Sequence, residues 1–324
     1  MRHPAVRAVT VPAAISLVLI ALGCAPAGPP SPPPAEPHTA FAPVEIEIGG
    51  DPEWLGVGFG SLWVKADVGT VSRIDLATGE VAAEIEAHDL SGDLGCSGIG
   101  VGTDSVWTCA EQAVVRIDPT TDDVVASIQA AKVWSQGRIV QAAGRMWVLS
   151  GNGDQLVGLA EADGSLSEPI VLPVPCTDLG AVADIVYVVC EAAGRVLRVD
   201  PAAASVSVDV PIAGPTHVSA ADNGVWVAAA QGVLRLDLDS LEPSLTIDGL
   251  TVGFFGTIRA DDSGVWVRRV DPFLTRIDGA SGAVTRIVSA PWGGVGDVIA
   301  DGDRLWASDV DGQVVVRLDL PVGP

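Results

Sequence analysis

The chain has 324 residues, of which 48% are hydrophobic and 18% charged, and its formal net charge is -23 at pH 7. This composition supports a large packed core and excludes an extended disordered chain. Nucleic-acid backbones are bound by clustered Lys and Arg, whereas here 18 such residues stand against 41 Asp and Glu, which argues against nucleic acid as a partner.

A short apolar run, VPAAISLVLIALG, follows the basic residues Arg2 and Arg7 and leads to Cys24. It is shorter than the ~20 apolar residues that cross a bilayer and contains Pro12, so it predicts an export signal and not a permanent span. The tetrapeptide ALGC that ends at Cys24 resembles the lipobox of bacterial lipoproteins, in which cleavage before the cysteine is coupled to its lipidation. This resemblance implies a signal peptide at residues 1 to 23 and an anchor to the bacterial membrane through Cys24, at the cell surface or the periplasmic face. A plain secreted protein is the alternative.

Residues 24 to 43 form the next segment, in which Cys24 is followed by APAGPPSPPPAEPHTAFAP with its eight prolines. So many prolines prevent both a packed core and a β ladder, and they favour extended polyproline II conformation. We therefore expect a tether that holds the following domain away from its anchor.

From residue 44 to residue 320 the sequence repeats. An aromatic residue recurs at intervals of 44, 40, 40, 39, 40 and 40 residues, at Trp63, Trp107, Trp147, Tyr187, Trp226, Trp266 and Trp306. Each unit contains short strand-like segments separated by turns rich in Asp and Gly. Repeats of this kind predict a single all-β domain, a seven-bladed β-propeller of four-stranded antiparallel blades.

The segment VEIEI at residues 44 to 48 alternates apolar and acidic residues, which predicts a half-buried strand. The last repeat supplies three strands, whereas the other repeats supply four. VEIEI aligns with the outermost strands of the other repeats, VAAEIEA and VVASIQA. We therefore predict that it completes the seventh blade and closes the ring, which removes an exposed sheet edge.

The repeat LWVKADVGTVSRIDLATGEVAAEI resembles the YVTN-type repeat and, more distantly, the repeats of streptogramin lyase-like and NHL propellers. The resemblance extends over residues 44 to 320 and implies the same propeller fold. Families that share such repeats include lyases, quinoprotein-like dehydrogenases, sensors and proteins with no known activity. The resemblance therefore leaves the function open.

Besides Cys24 the chain contains four cysteines, an even number for an exported protein. Cys96 and Cys176 each lie 11 residues before the aromatic residue of their repeat, and Cys109 and Cys190 lie two and three residues after it. Each pair thus falls on adjacent strands of one hairpin, which predicts the disulfides Cys96 to Cys109 and Cys176 to Cys190. A zinc site is the competing interpretation, but the CxxC spacing usual for zinc is missing.

Comparison of the repeats with one another separates scaffold from candidate function. A feature that recurs from blade to blade is scaffold, so the recurring Trp is assigned to packing between blades and the Arg-apolar-Asp pattern to anchoring turns. The position nine residues before each aromatic residue lies at the start of the innermost strand, and the residue type found there changes from blade to blade. The polar residues at this position are Arg138, Asp178, His217, Thr257 and Asp297, which we expect to form a ring at the mouth of the central channel.

Aromatic residues on or just before the same strand starts are expected to wall a ligand pocket above that ring; they are Trp54, Trp134, Phe254, Phe255 and Trp292. The competing interpretation is that the polar ring only hydrates the channel, with Arg138 balancing Asp178 from the neighbouring blade. The longer connection between the first two repeats adds His88, Asp89 and Asp93, which with Asp178 form a weak candidate site for a divalent cation. No cofactor is predicted.

The sequence favours a monomeric extracytoplasmic propeller that binds a small molecule or a cell-envelope protein and meets the membrane only through its anchor. The alternative is an enzyme of lyase or hydrolase type in which His217 acts as the base and Asp178 or Arg138 orients it. A quinoprotein-like dehydrogenase ranks third.

Overall fold

The computed structural model describes residues 43–87, 98–110, 113–129, 138–253, 256–289, 291–292 and 294–320. These residues form seven sheets of four antiparallel strands and one short 3-10 helix, Glu191–Ala193. The predicted seven-bladed propeller is therefore confirmed. Within this part of the chain no helix has the length and apolar character needed to span a bilayer.

Each blade runs along the chain from its innermost to its outermost strand. Blade one contains β2 (Pro52–Gly58), β3 (Ser61–Ala66), β4 (Thr70–Asp75) and β5 (Val81–Glu86). Blade two contains β6 (Ile99–Val101), β7 (Val106–Ala110), β8 (Ala113–Ile117) and β9 (Val124–Gln129). Blade three contains β10 (Val140–Ala142), β11 (Arg145–Ser150), β12 (Gln155–Ala160) and β13 (Ile170–Val171).

The remaining blades follow the same order. Blade four contains β14 (Asp178–Val182), β15 (Ile185–Cys190), β16 (Arg195–Asp200) and β17 (Ser205–Pro211). Blade five contains β18 (His217–Ala221), β19 (Gly224–Ala229), β20 (Gly232–Leu236) and β21 (Pro243–Asp248). Blade six contains β22 (Thr257–Asp261), β23 (Gly264–Arg268), β24 (Leu274–Asp278) and β25 (Val284–Val288). Blade seven contains β26 (Val298–Asp301), β27 (Arg304–Asp309), β28 (Val314–Asp319) and, from the N-terminal side, β1 (Val44–Glu47).

The first strand of the domain closes the ring as the sequence predicts. β1 pairs with β28 in antiparallel register, with Val44 opposite Arg317 and Glu47 opposite Val314. Ile46 and the following Ile48 are buried in the apolar layer shared with blade one. β1 therefore covers the outer edge of β28, although the two strands are remote in sequence.

The recurring aromatic residues are buried between neighbouring blades. Trp107 of blade two packs against Ile139 and Met146 of blade three, and Trp306 of blade seven packs against blade one. In four blades the recurring Arg stacks on the Trp directly opposite it in the preceding strand, as Arg116 does 5.5 Å from the centre of the Trp107 ring. The Arg of the Arg-apolar-Asp pattern therefore supports packing through a cation-π contact.

The recurring Asp holds the turn that follows it. Asp75 Oδ1 accepts hydrogen bonds from the backbone amides of Ala77 and Thr78, at 2.9 and 2.8 Å. Equivalent bonds are made by Asp118, Asp200, Asp237 and Asp278. These bonds lower the pKa of Asp75, so the turn is held by a charged carboxylate at neutral pH. The predicted role of these residues in turns is confirmed.

One of the two predicted disulfides is present among the described residues. Cys176 is bonded to Cys190, and both are fully buried in blade four. The bond joins the segment before β14 to the end of β15. The other predicted pair, Cys96 with Cys109, stays a prediction because Cys96 lies outside the described residues.

Replacement of Cys176 and Cys190 together by serine is expected to destabilise the propeller by about 3 kcal/mol, because the bond closes a loop of sequence separation 14. Urea unfolding of the variant against the wild-type protein measures the loss. Equal unfolding midpoints for the two proteins would show that this bond does not stabilise blade four.

Candidate functional site

The first strands of neighbouring blades contact one another around the centre of the ring. At one end of these strands the structure brings together four of the five polar residues that comparison of the repeats selects. Arg138, Asp178, Thr257 and Asp297 are all at most 3% exposed, although each comes from a different blade. The fifth, His217, begins β18 beside them and is half-buried.

Arg138 reaches across the channel from blade three to blades five and six. Its Nη1 donates to the carbonyl oxygen of Val218 at 2.7 Å, and its Nη2 donates to the carbonyl oxygen of Ile258 at 3.0 Å. Nη2 also donates to the hydroxyl of Thr257. Nη1 lies 3.8 Å from Asp178, a longer contact than any of these hydrogen bonds. The guanidinium thus links the inner strands of blades that are not neighbours in the ring.

Asp178 and Asp297 occupy equivalent positions in blades four and seven. Each accepts the backbone N–H of the following residue at 2.9 Å, and Asp178 also accepts that of Val218 at 3.0 Å. Asp297 in addition binds Arg259, whose Nε lies 3.0 Å from its Oδ1. We call Arg138, Asp178, Arg259 and Asp297 the charged cluster.

The charged cluster is balanced, with two guanidinium groups and two carboxylates. Burial raises the pKa of Asp297, but the charge and hydrogen bonds of Arg259 together outweigh it and leave the pKa below its usual value. Burial lowers the pKa of Arg138, and the charge of Asp178 opposes this change. Arg259 and Asp297 therefore hold each other in the charged state, and the burial of the cluster carries a desolvation cost.

Two cavities lie against the charged cluster. The upper cavity measures about 160 Å³ and is lined by Trp54, Asp178, His217, Thr257 and Asp297, with Glu53, Thr177, Glu191 and Thr216 around them. The lower cavity measures about 280 Å³ and is lined by Arg138 and Arg259 together with residues further along the inner strands. Four of the five selected polar residues and Trp54 therefore line one small pocket, whereas Arg138 lines the other.

His217 is the titratable residue of the upper cavity whose charge is most open to change near neutral pH. Its Nδ1 lies 3.1 Å from the hydroxyl of Thr216. Burial lowers its pKa, the nearby Asp178 and Asp297 raise it, and Arg138 lowers it, with a net decrease. The imidazole is therefore neutral at pH 7 and can donate or accept a hydrogen bond in the cavity.

The depressed pKa of His217 predicts a loss of stability on mild acidification. As the pH falls through about 6.5 the unfolded chain takes up a proton at this histidine that the folded chain does not, so unfolding becomes easier. We expect the melting temperature to fall less between pH 7 and pH 5 for His217→Gln than for the wild-type protein. Calorimetry at both pH values measures the difference, and equal decreases for the two proteins would contradict the assignment.

Comparison with solved structures identifies the same fold in several proteins. A catalytically inactive variant of virginiamycin B lyase from Staphylococcus aureus, crystallised with quinupristin, superimposes with a TM-score of 0.72 at 14% identity, covering 86% of this chain and 99% of that one. BamB from Moraxella catarrhalis gives 0.57 at 13% identity, covering 86% and 100%. The Pan2 WD40 domain from Neurospora crassa gives 0.70 at 9% identity, covering 90% and 99%.

These identities are low, so the superpositions show a shared fold and no more. Neither a protein-family model nor a curated protein sequence matches the chain. The function therefore has to be argued from the cavities and the residues that line them.

The predicted aromatic wall is represented in the described residues by Trp54 and Trp292. Trp54 lines the upper cavity, and its ring centre lies 5.2 Å from the guanidinium of Arg138. Trp292 packs on Phe273 with ring centres 5.4 Å apart and donates to Glu45 at 3.0 Å, and it does not line the upper cavity. Six predicted site residues lie outside the described residues: His88, Asp89, Asp93, Trp134, Phe254 and Phe255.

Sequence comparison missed Arg259, which belongs to the charged cluster. Arg259 lies two residues after Thr257 on β22 and therefore points to the same side of the strand. At the equivalent position the other blades have Gly56, Gly100, Val140, Gly180, Ser219 and Ile299. Arg259 is the one charged residue at this position in the seven blades, and that difference is the sequence signal that identifies it.

A metal site is not supported by the described part of the chain, where no group of three or more His, Cys, Asp or Glu side chains is arranged to hold an ion. Asp178, a proposed member of the weak cation site, is instead bound to backbone amides and lies 3.8 Å from Arg138. The other proposed ligands, His88, Asp89 and Asp93, lie outside the described residues and stay a prediction.

Proposed function

We propose that the chain is an extracytoplasmic β-propeller that binds a small molecule in the upper cavity. The observation that carries the proposal is the cavity itself, about 160 Å³ in volume, in which an aromatic wall at Trp54 meets the polar groups of His217, Thr216 and Thr257. A small pocket with one apolar wall and a few convergent polar groups has the usual composition of a ligand site.

Binding is favoured over catalysis by the state of the acidic residues. Both oxygens of Asp178 accept backbone N–H bonds, and Asp297 is held by Arg259. Both oxygens of Asp178 are thus already engaged by backbone amides, and the lowered pKa of Asp297 makes it a poor proton acceptor. These residues therefore shape and polarise the cavity instead of supplying a general base.

A lyase or hydrolase is the second candidate, and His217 is the observation that favours it. The imidazole lines the cavity and is neutral at pH 7 because its pKa is lowered. The virginiamycin B lyase that shares the fold is inactive when one of its histidines is replaced by alanine. In such an enzyme His217 would act as the general base, and Asp178 or Arg138 would orient its imidazole.

The variant His217→Gln separates the two functions. Wild-type protein and the variant are incubated with an extract of small metabolites, and bound compounds are recovered and identified by mass spectrometry. Recovery of one unchanged compound from both proteins supports a binding protein. Consumption of that compound by the wild-type protein, but not by the variant, establishes an enzyme and contradicts the binding proposal.

We also propose that the propeller is exported as a monomer and anchored through Cys24, with residues 1 to 23 as signal peptide, 24 to 43 as tether and 44 to 320 as propeller. The buried Cys176 to Cys190 bond supports this location, because structural disulfides persist mainly in oxidising compartments. Replacement of Cys24 by alanine should move the protein from the membrane fraction to the soluble fraction. Retention of that variant on membranes would contradict the lipid anchor.

A further inference from the structure

The lower cavity is separate from the proposed ligand site and is not required for it. It measures about 280 Å³, and its lining includes Arg138, Val140, Gln141, Ser219, Arg259 and Asp261. These residues lie on the inner strands of blades three, five and six, except Arg138, which lies two residues before β10. The cavity therefore occupies the central channel on the side of the charged cluster opposite the upper cavity.

The four members of the charged cluster are divided between the two cavities. The carboxylates Asp178 and Asp297 line the upper cavity, whereas the guanidinium residues Arg138 and Arg259 line the lower one. Asp261 also lines the lower cavity, but its carboxylate is bound by Arg276 at 2.6 Å. A ligand in the lower cavity would therefore lie next to the two arginines of the charged cluster and not next to its carboxylates.

Arg138, Arg259 and Ser219 bring hydrogen-bond donors to the lower cavity. Arg138 is only 2% exposed, and its Nε is a buried donor with no hydrogen-bond partner among the described residues. Arg259 makes its hydrogen bonds through Nε and Nη2, which leaves Nη1 for another acceptor. The hydroxyl oxygen of Ser219 accepts the backbone N–H of Ala260 at 2.9 Å, so its own O–H is available to donate. An unsatisfied buried donor is costly, and an anion would remove that cost.

We propose that the lower cavity binds a small oxyanion, a carboxylate or a phosphate, between Arg138 and Arg259. Guanidinium groups recognise the oxygens of such anions through charge-assisted hydrogen bonds, and Ser219 adds a neutral donor on the same side. A cation is disfavoured because the two arginines face the cavity while the carboxylates that balance them face away from it.

Two variants remove the site in different ways. Val140 lies two residues after Arg138 on the same side of the chain, so Val140→Phe fills the cavity beneath the guanidinium. Arg259→Gln combined with Asp297→Asn removes one donor while keeping the cluster electrically balanced. The matched control is Arg195→Gln with Asp209→Asn, which removes an Arg–Asp pair from the exposed outer part of blade four.

Isothermal titration calorimetry with inorganic phosphate and with acetate tests the proposal. We expect one anion per chain to bind the wild-type protein and the control, and affinity to fall by about tenfold or more in both site variants. The anion that binds with the higher affinity identifies the preferred class, phosphate or carboxylate. Absence of binding by both anions to the wild-type protein overturns the proposal, and so does unchanged affinity in the two site variants. Neither result bears on the upper cavity.

Discussion

Deletion of residues 44 to 49 is expected to abolish the cooperative unfolding transition of the propeller. The deletion removes β1, and with it the buried side chains of Ile46 and Ile48 and the hydrogen bond between Glu45 and Trp292. Burial of each isoleucine contributes about 1.5 to 3 kcal/mol, and the edge of β28 would be left open as well. A loss of this size is comparable with the whole stability of many domains, about 5 to 15 kcal/mol.

Thermal unfolding followed by far-ultraviolet circular dichroism measures this effect. Deletion of residues 25 to 41 is the control, because it removes part of the proline-rich segment that precedes β1 and leaves the strand in place. The control should unfold at the wild-type temperature. A sharp transition at the wild-type temperature after removal of residues 44 to 49 would refute the assignment of β1 as the strand that closes the ring.

Replacement of Arg138 by methionine is expected to destabilise the protein by about 3 to 5 kcal/mol, the usual cost of removing one member of a buried charged pair. The carbonyl oxygens of Val218 and Ile258 would lose their donor, and Asp178 would lose its nearest guanidinium. Since Arg138 joins blade three to blades five and six, the loss affects contacts across the channel.

Arg116→Met is the matched control, because Arg116 also stacks on a tryptophan but lies near the surface with an exposed partner, Asp104. We expect a loss of about 1 kcal/mol or less there. Urea unfolding of both variants gives the comparison. Equal losses for the two substitutions would mean that the charged cluster contributes no more than a surface contact.

The fold was predictable because its signals are repeated seven times. The aromatic spacing predicted the blades, and the incomplete last repeat predicted the pairing of β1 with β28 that the structure confirms. The Cys176 to Cys190 bond followed from the position of both cysteines relative to Tyr187. Each of these predictions depends on position along the chain, which the sequence contains directly.

The site was predictable only in part, because its geometry depends on distances across the channel. Comparison of the repeats selected Arg138 and Asp178, and its competing interpretation paired them with each other. The two side chains do lie 3.8 Å apart, but the hydrogen bonds of Arg138 go to the hydroxyl of Thr257 and to backbone oxygens of blades five and six. The length of an arginine side chain and the width of the channel decide that choice, and a sequence pattern contains neither. Arg259 is within reach of the same comparison when it includes the position two residues further along each innermost strand.

Native mass spectrometry of the chain, purified from the membranes of its source organism, tests the central claim most directly. We expect the wild-type protein to have a non-covalent adduct of one small molecule and Trp54→Ala, which removes the aromatic wall of the upper cavity, to lack it. Circular dichroism establishes that both proteins are folded. An identical adduct on both proteins, or none on the wild-type protein, would contradict binding in the upper cavity.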